Sequence, residues 1–356
     1  MILPQSEQSE ALHIRSVEGA ANPMQPASLD AARLVKSLAD FRRPSVPRSW
    51  IELAITLLPL AVVFGGILYA VSNGYYAALL LTPLSGLLML RSFIIQHDCG
   101  HGAFMPGKAG NDWIGRALGV LTLTPYDCWR RSHALHHAGT GNLEKRGFGD
   151  VDMLTVREFK ALSPMGRFGY RLYRHPVVLL GLGPAYLFLL RHRLPIGLMR
   201  EGAIYWISAM ATNAVTFALL AFLAWQFGVA TTALVFLPSL IIAATMGVWL
   251  FYIQHQFENA HWDSRAQWSF MDAALLGSSY LHLPMPLRWF TANIGIHHIH
   301  HLMSRIPFYR LREALDAHPE LEHVNRMTAR HTVTPFLLTL WDEDQRKMVR
   351  FKDAKG

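Results

Sequence analysis

Histidine is the residue type in this sequence that points most directly to chemistry. The 356-residue chain carries eighteen histidines, and ten of them fall in four short segments. His97-Asp-Cys-Gly-His101 has the spacing HxxxH. His133-Ala-Leu-His136-His137 and His297-His-Ile-His300-His301 both read HxxHH, and His255 stands alone in Tyr-Ile-Gln-His-Gln-Phe-Glu. Residues three or four apart share a helix face, so each box can turn its rings toward one centre, with His298 the spare residue of the third. Imidazole suits iron, zinc and copper. A catalytic zinc takes three protein ligands; nine rings exceed that and match two metals, each with several ligands and positions open to oxygen. Chance histidines on amphipathic helices would have to produce HxxHH twice and HxxxH once. His255 alone would read as an ordinary polar residue.

Ligating histidines usually hand their other ring nitrogen to a carboxylate or carbonyl. Asp98, Asp150, Asp152 and Glu258 are the carboxylates near the boxes, and Asn293 precedes His297 by four residues. Each reads equally as a helix cap or a solvated side chain. Glu258-Asn-Ala-His261 and Glu320-Leu-Glu-His323 formally match the Glu-x-x-His of carboxylate di-iron bundles. Neither lies in a long apolar run, so both matches are read as coincidence. Cys99 and Cys128 form no CxxC and no disulfide framework.

The elements that must position these rings are apolar. Charged residues are 16% of the chain, against about 25% in a typical soluble domain, and apolar residues are 51%. Four stretches, about 50–71, 75–96, 203–225 and 229–254, are each long enough to cross roughly 30 Å of hydrocarbon. Within each pair the link is short and uncharged, Ser72–Gly74 and then Gln226–Gly228. Arg42, Arg43 and Arg48 precede the first stretch, and Arg191, Arg193 and Arg200 precede the third. The positive-inside rule then places both termini and the histidine boxes in the cytoplasm. The topology also brings the ends of the second and fourth spans to one membrane face, which gives His255 its weight. Two shorter apolar pieces, 113–123 and 176–190, read as interfacial helices.

The expected architecture is an all-α integral membrane protein: four transmembrane helices in two hairpins under a cytoplasmic helical cap. Residues 46–345 form that domain, between a flexible tail over 1–45, with a short helix near Leu29–Phe41, and a C-terminal tail over 346–356. No charged segment followed by an apolar core opens the chain, so no cleavable signal is expected. The net charge of +8 fits cytoplasmic segments against anionic lipid better than a nucleic-acid surface, for which little soluble fold remains. Arg130, Arg131, Lys145, Arg146, Arg167, Arg171 and Arg174 crowd the central segment. Contact with headgroups is their plain reading, and docking of an acidic electron donor the sharper one.

Four blocks in register, HDCGHGAF (97–104), HALHHAGTGNLEKRGFGD (133–150), FYIQHQFENAHW (251–262) and WFTANIGIHHIHHL (289–302), resemble the membrane fatty acid desaturases, and among them the bacterial acyl-lipid enzymes. The likeness covers about residues 50–345. It implies two irons held by His97, His101, His133, His136, His137, His255, His297, His300 and His301, and O2-dependent insertion of a cis double bond into a lipid-linked acyl chain. No HPGG haem motif occurs, so electrons are expected from a separate ferredoxin, flavodoxin or cytochrome. The likeness implies the bacterial inner membrane, and a Δ12 (ω-6) outcome ahead of Δ9 or Δ5.

An unactivated methylene is beyond any side-chain base, so the metal and oxygen must supply that step while the protein positions one carbon pair. A slot of fixed depth between helices would measure chain length. Two rivals keep the histidines but change the outcome. A hydroxylase or ketolase would divert the same chemistry to oxygen insertion. A metal transporter would place its polar residues near the bilayer midplane, whereas these sit at helix ends and in the polar segment.

Overall fold

The computed structural model describes residues 31–147 and 151–354. The chain before residue 31, including the start of the expected Leu29 helix, and Asp150 lie outside the described residues. Helix α1 (Ala31–Leu38) is followed by the first long helix, α2 (Val46–Ser72), with Pro47 in its first turn. There proline's missing N–H costs nothing and its fixed φ suits the helix. Asn73 and Gly74 turn the chain, with Gly74 at φ 87°, a left-handed conformation that glycine adopts without steric cost. A 3-10 turn over Tyr76–Leu81 leads into α3 (Thr82–Gly100). Helices α4 (Lys108–Leu121) and α5 (Tyr126–Gly139) follow, then α6 (Pro164–Tyr173). The second long pair is α7 (Ala203–Phe227) and α8 (Val229–His255), joined by Gly228 alone at φ 86°. The short α9 (His297–Leu302) holds the last box.

Four helical segments, 46–72, 76–100, 203–227 and 229–255, are long and apolar enough to cross a membrane. They match the sequence expectation to within a few residues. The largest differences are at the start of the first, which begins at Val46 rather than near residue 50, and at the end of the second. That helix runs to Gly100, so His97 lies inside it. Their outer faces carry large apolar side chains in the open, among them Val62 at 74% and Trp225 at 79% exposure. A water-soluble monomer rarely shows apolar patches of that extent, and lipid is the solvent that suits them. The two short apolar pieces are not spans. One is α4, and the other is a π turn over Val178–Leu182 continued by the helix Gly183–Leu189.

Both hairpins open toward the same side. Ser49 near the start of α2 donates to the carbonyl of Phe104 just past α3, at 2.7 Å. Ser208 near the start of α7 accepts from the backbone of Asp127 in α5, at 3.1 Å. Helix α3 is the hub, buried by α2, α4 and α8. It approaches α8 at Gly86, where an added Cβ would sit 2.8 Å from Ile242 Cβ and 2.9 Å from the Ser239 carbonyl. Small residues permit such close helix contacts in membranes. Gly86→Ala is therefore expected to destabilise the protein by about 1–3 kcal/mol, the usual range for overpacking. Unfolding in detergent measures this; an unchanged midpoint would mean the two helices part freely.

The cap closes over the open side with short elements. Strand β1 (Leu154–Thr155) pairs in parallel with β4 (Leu340–Asp342), which pairs antiparallel with β5 (Lys347–Val349). Strands β2 (Tyr280–His282) and β3 (Arg326–Thr328) form a second, parallel pair. Two domain limits are thereby corrected. Residues 347–349 are not a tail, because Met348 and Val349 are buried and their strand completes a sheet. Within the expected N-terminal tail, α1 buries Leu34 and Leu38 in the main core, and His318 Nε2 lies 2.9 Å from Ser37 Oγ.

Candidate metal centre

Two helices of the cap side and two span ends deliver the histidines. HxxxH lies on the last turn of α3, the second box on α5, His255 at the end of α8, and the third box on α9. The structure brings all nine together in two groups. One holds His97, His101, His133, His137 and His300; the other holds His136, His255, His297 and His301. Within each group the candidate ligand atoms lie within 4.8 Å of one another. Each HxxHH box divides between the groups: α5 gives His133 and His137 to one and His136 to the other, while α9 gives His300 to the first and His297 and His301 to the second. The sequence pattern put the rings on one side; it did not show this division. His137 and His301 stack across the divide, centroids 4.1 Å apart and planes at 11°.

The donor geometry fits metal ions. Nε2 of His133 lies 3.0 Å from that of His101 and 3.1 Å from that of His137, which in turn is 3.2 Å from that of His300. In the second group His297 Nε2 is 3.0 Å from that of His255 and 3.1 Å from that of His301. Each Nε2 has a single in-plane position, either a proton or a lone pair. Three consecutive contacts in the first group therefore cannot all be hydrogen bonds. A cation between them satisfies every lone pair at once. Two nitrogens bound at right angles at about 2.1 Å from one ion stand about 3.0 Å apart, which is the spacing found.

The electrostatics agree. Burial, and then the neighbouring rings, hold His101, His133, His137, His297, His300 and His301 well below the usual imidazole range. Neutral rings keep the lone pairs that metal binding requires. Two of the second nitrogens have partners of their own. His255 Nδ1 donates to the Gly277 carbonyl at 3.1 Å, which leaves its Nε2 facing His297. His97 Nδ1 lies 3.3 Å from Asp98 Oδ1, and Asp98 Oδ2 accepts the Phe308 N–H at 2.6 Å. His298, the spare ring, points instead to the Leu321 carbonyl at 3.0 Å.

Of the other candidate partners, Asn293 does not share a helix face with His297, because no helix joins the two residues. It lies in a left-handed turn, φ 55°, and donates to the Phe308 carbonyl at 3.1 Å. Glu258 is exposed, three residues beyond the end of α8, and Asp152 is exposed as well. Two contributors were not picked out from the sequence. The Gly277 carbonyl carries no side-chain signal at all. Trp129 stacks on His133, centroids 4.5 Å apart at 17°, and its i, i+4 spacing to His133 could have marked it. Three of the central cations have acidic partners within the chain, and a fourth is buried. Arg130 pairs with Asp112 at 2.6 Å, Arg131 with Glu201 at 3.1 Å and Arg146 with Glu158 at 2.7 Å, while Arg174 is buried.

A helical membrane protein with buried imidazoles gathered into two metal-sized groups at one end of its spans is the class that fold and site define. A fatty acid desaturase family model matches residues 73–331. A fatty acid desaturase of Bacillus subtilis is 39% identical over 324 residues, 91% of either chain. An sn-1 acyl-lipid omega-3 desaturase (ferredoxin) of Synechocystis is 31% identical, covering 78% of this chain and 77% of the relative. An sn-1 oleoyl-lipid 12-desaturase of Synechocystis is 26% identical, with 83% of each covered. The chain belongs to the fatty acid desaturase family, and it is an enzyme that desaturates fatty acids.

Proposed function

We propose that the protein inserts a cis double bond into the acyl chain of a membrane lipid, using two irons held by the nine histidines, O2, and electrons from a separate donor protein. The observation that carries this reading is the pair of imidazole groups with neighbouring Nε2 atoms 3.0–3.2 Å apart. In balance, the acyl chain gives up two hydrogens, the donor supplies two electrons, the medium two protons, and O2 leaves as two waters. The bound metals supply the activation of oxygen that removes hydrogen from an unactivated methylene.

The chain's own residues provide the setting. Helices α5 and α9, each reaching both groups, hold the two sites at a set spacing. Asp98 and the Gly277 carbonyl orient His97 and His255. Burial, and then the neighbouring rings, favour the neutral form of His101, His133, His137, His297, His300 and His301. Phe251, Val151 and Trp262 give His255 a largely apolar surrounding on the side of the second group. The site lies at the ends of spans whose exposed faces suit lipid, which favours a lipid-linked substrate. The names of the two Synechocystis relatives support an acyl-lipid substrate and a ferredoxin-type donor. We place the enzyme in the bacterial inner membrane with the histidines facing the cytoplasm, where arginines flank the spans.

The test is a fatty acid profile of bacteria that make only saturated and monounsaturated acids, with His136→Ala as control. A new unsaturated product in the first strain alone is expected, and its derivatised fragments locate the bond, Δ12 being the leading position. A hydroxy acid in its place would move the protein to the hydroxylase reading.

A further inference from the structure

Arg174 is the one cation of the central segment that the fold buries completely, at 1% exposure. Among the described residues no carboxylate pairs with it. It sits just past α6 and spends its donors on four neutral acceptors from three parts of the chain. Nη1 donates to the Asp152 carbonyl at 3.0 Å. Nη2 lies 2.9 Å from Tyr252 Oη, 3.2 Å from Gln256 Oε1 and 3.3 Å from the Leu338 carbonyl. Tyr252 in turn donates to the Pro335 carbonyl at 2.9 Å and stacks on Phe336 at 5.1 Å. Tyr252 and Gln256 are one turn apart at the end of α8, and His255 lies between them. A buried guanidinium is costly to desolvate, but its planar fork fixes several acceptors at once, and the C-terminal end of a helix is where a cation is favoured.

We infer that Arg174 is a positioning residue for the second metal group: by clamping Tyr252 and Gln256 to the cap, it sets the rotation of the last turn of α8 and so the meeting of His255 with His297. None of these hydrogen bonds reaches a residue of the first group, so its loss is expected to be selective. The inference rests on the two-iron reading above, and the test separates the two.

Full-length wild type, Arg174→Gln, Arg174→Lys and His255→Ala are purified in detergent, and each is measured for iron per chain, Mössbauer spectrum and thermal midpoint. Arg174→Gln is expected to lose about half of its iron and to reproduce the spectrum of His255→Ala. Arg174→Lys, which keeps the charge but not the fork, is expected to fall between. A folded Arg174→Gln with wild-type iron and an unchanged spectrum would overturn the inference and leave the two-iron reading intact. So would parallel loss from both groups, which marks a merely structural role. A folded wild type that binds no iron removes both. Should Arg174→Gln fail to fold, Tyr252→Phe and Gln256→Leu each remove one arm of the clamp. A partial loss confined to the second group then supports the inference, and full iron in both variants contradicts it.

Discussion

His300→Ala and His301→Ala, one residue apart, are expected to empty different halves of the metal centre. His300 belongs with His97, His101, His133 and His137, whereas His301 belongs with His136, His255 and His297. Both variants should lose activity by more than about 100-fold, because removing residues that merely orient a ligand already costs about 10–100-fold. They should differ in what remains. His300→Ala leaves four rings in the first group and His301→Ala leaves three in the second, so the second variant should retain less iron. His298→Ala is the internal control. Its ring contacts the Leu321 carbonyl at 3.0 Å and lies in neither group, so it should keep its iron while losing some stability from the cavity that a fully buried ring leaves behind. Product analysis and metal content on the three proteins decide this. If His298→Ala lost as much iron as its neighbours, or if the two ligand variants gave identical spectra, the division into two groups would be wrong.

Arg91→Met is expected to destabilise the protein by about 3–5 kcal/mol, the cost of leaving a buried charge without its partner. Glu52 on α2 is 2% exposed and Arg91 on α3 equally so. The guanidinium bonds the Glu52 carboxylate and the Trp289 carbonyl, reaches Thr56 Oγ1 at 3.0 Å, and lies 4.1 Å over the Trp289 ring. It thus ties two spans to the segment that leads into α9. Without it, Glu52 keeps only Arg48, whose side chain is 55% exposed, at 2.7 Å. Removing both charges, as Glu52→Leu with Arg91→Met, should recover much of the loss, since apolar replacements of buried pairs are often neutral. Unfolding of wild type and these two variants in detergent tests this. An Arg91→Met midpoint within about 0.5 kcal/mol of wild type, the range of an ordinary surface change, would mean the pair contributes nothing.

The spans were legible because the bilayer enforces both length and composition, and a run such as 229–254 has no soluble use. The boxes were legible because imidazole spacing is a local property of a helix. What escaped was set by contacts between distant parts of the chain. Asp98 meets the backbone of Phe308, 210 residues away, and no local pattern announces that partner. Arg174 reads as one surface cation among several until Tyr252 and Leu338 fold around it. The residues 347–349 look like a polar tail because a three-residue edge strand shows too little alternation to be noticed. The four-residue spacing of Asn293 and His297 would put both on one face of a continuous helix. The count fails because α9 begins only at His297, and a left-handed turn precedes it.

The central claim is that nine histidines form two adjacent iron sites. Metal analysis with Mössbauer spectroscopy, on wild-type protein purified from cells grown on isotopically enriched iron, tests it most directly. The account predicts about two irons per chain, in two distinguishable nitrogen-rich environments, with one signal lost in His301→Ala and the other changed in His300→Ala. A folded protein that holds a single iron, or zinc in place of iron, would contradict it.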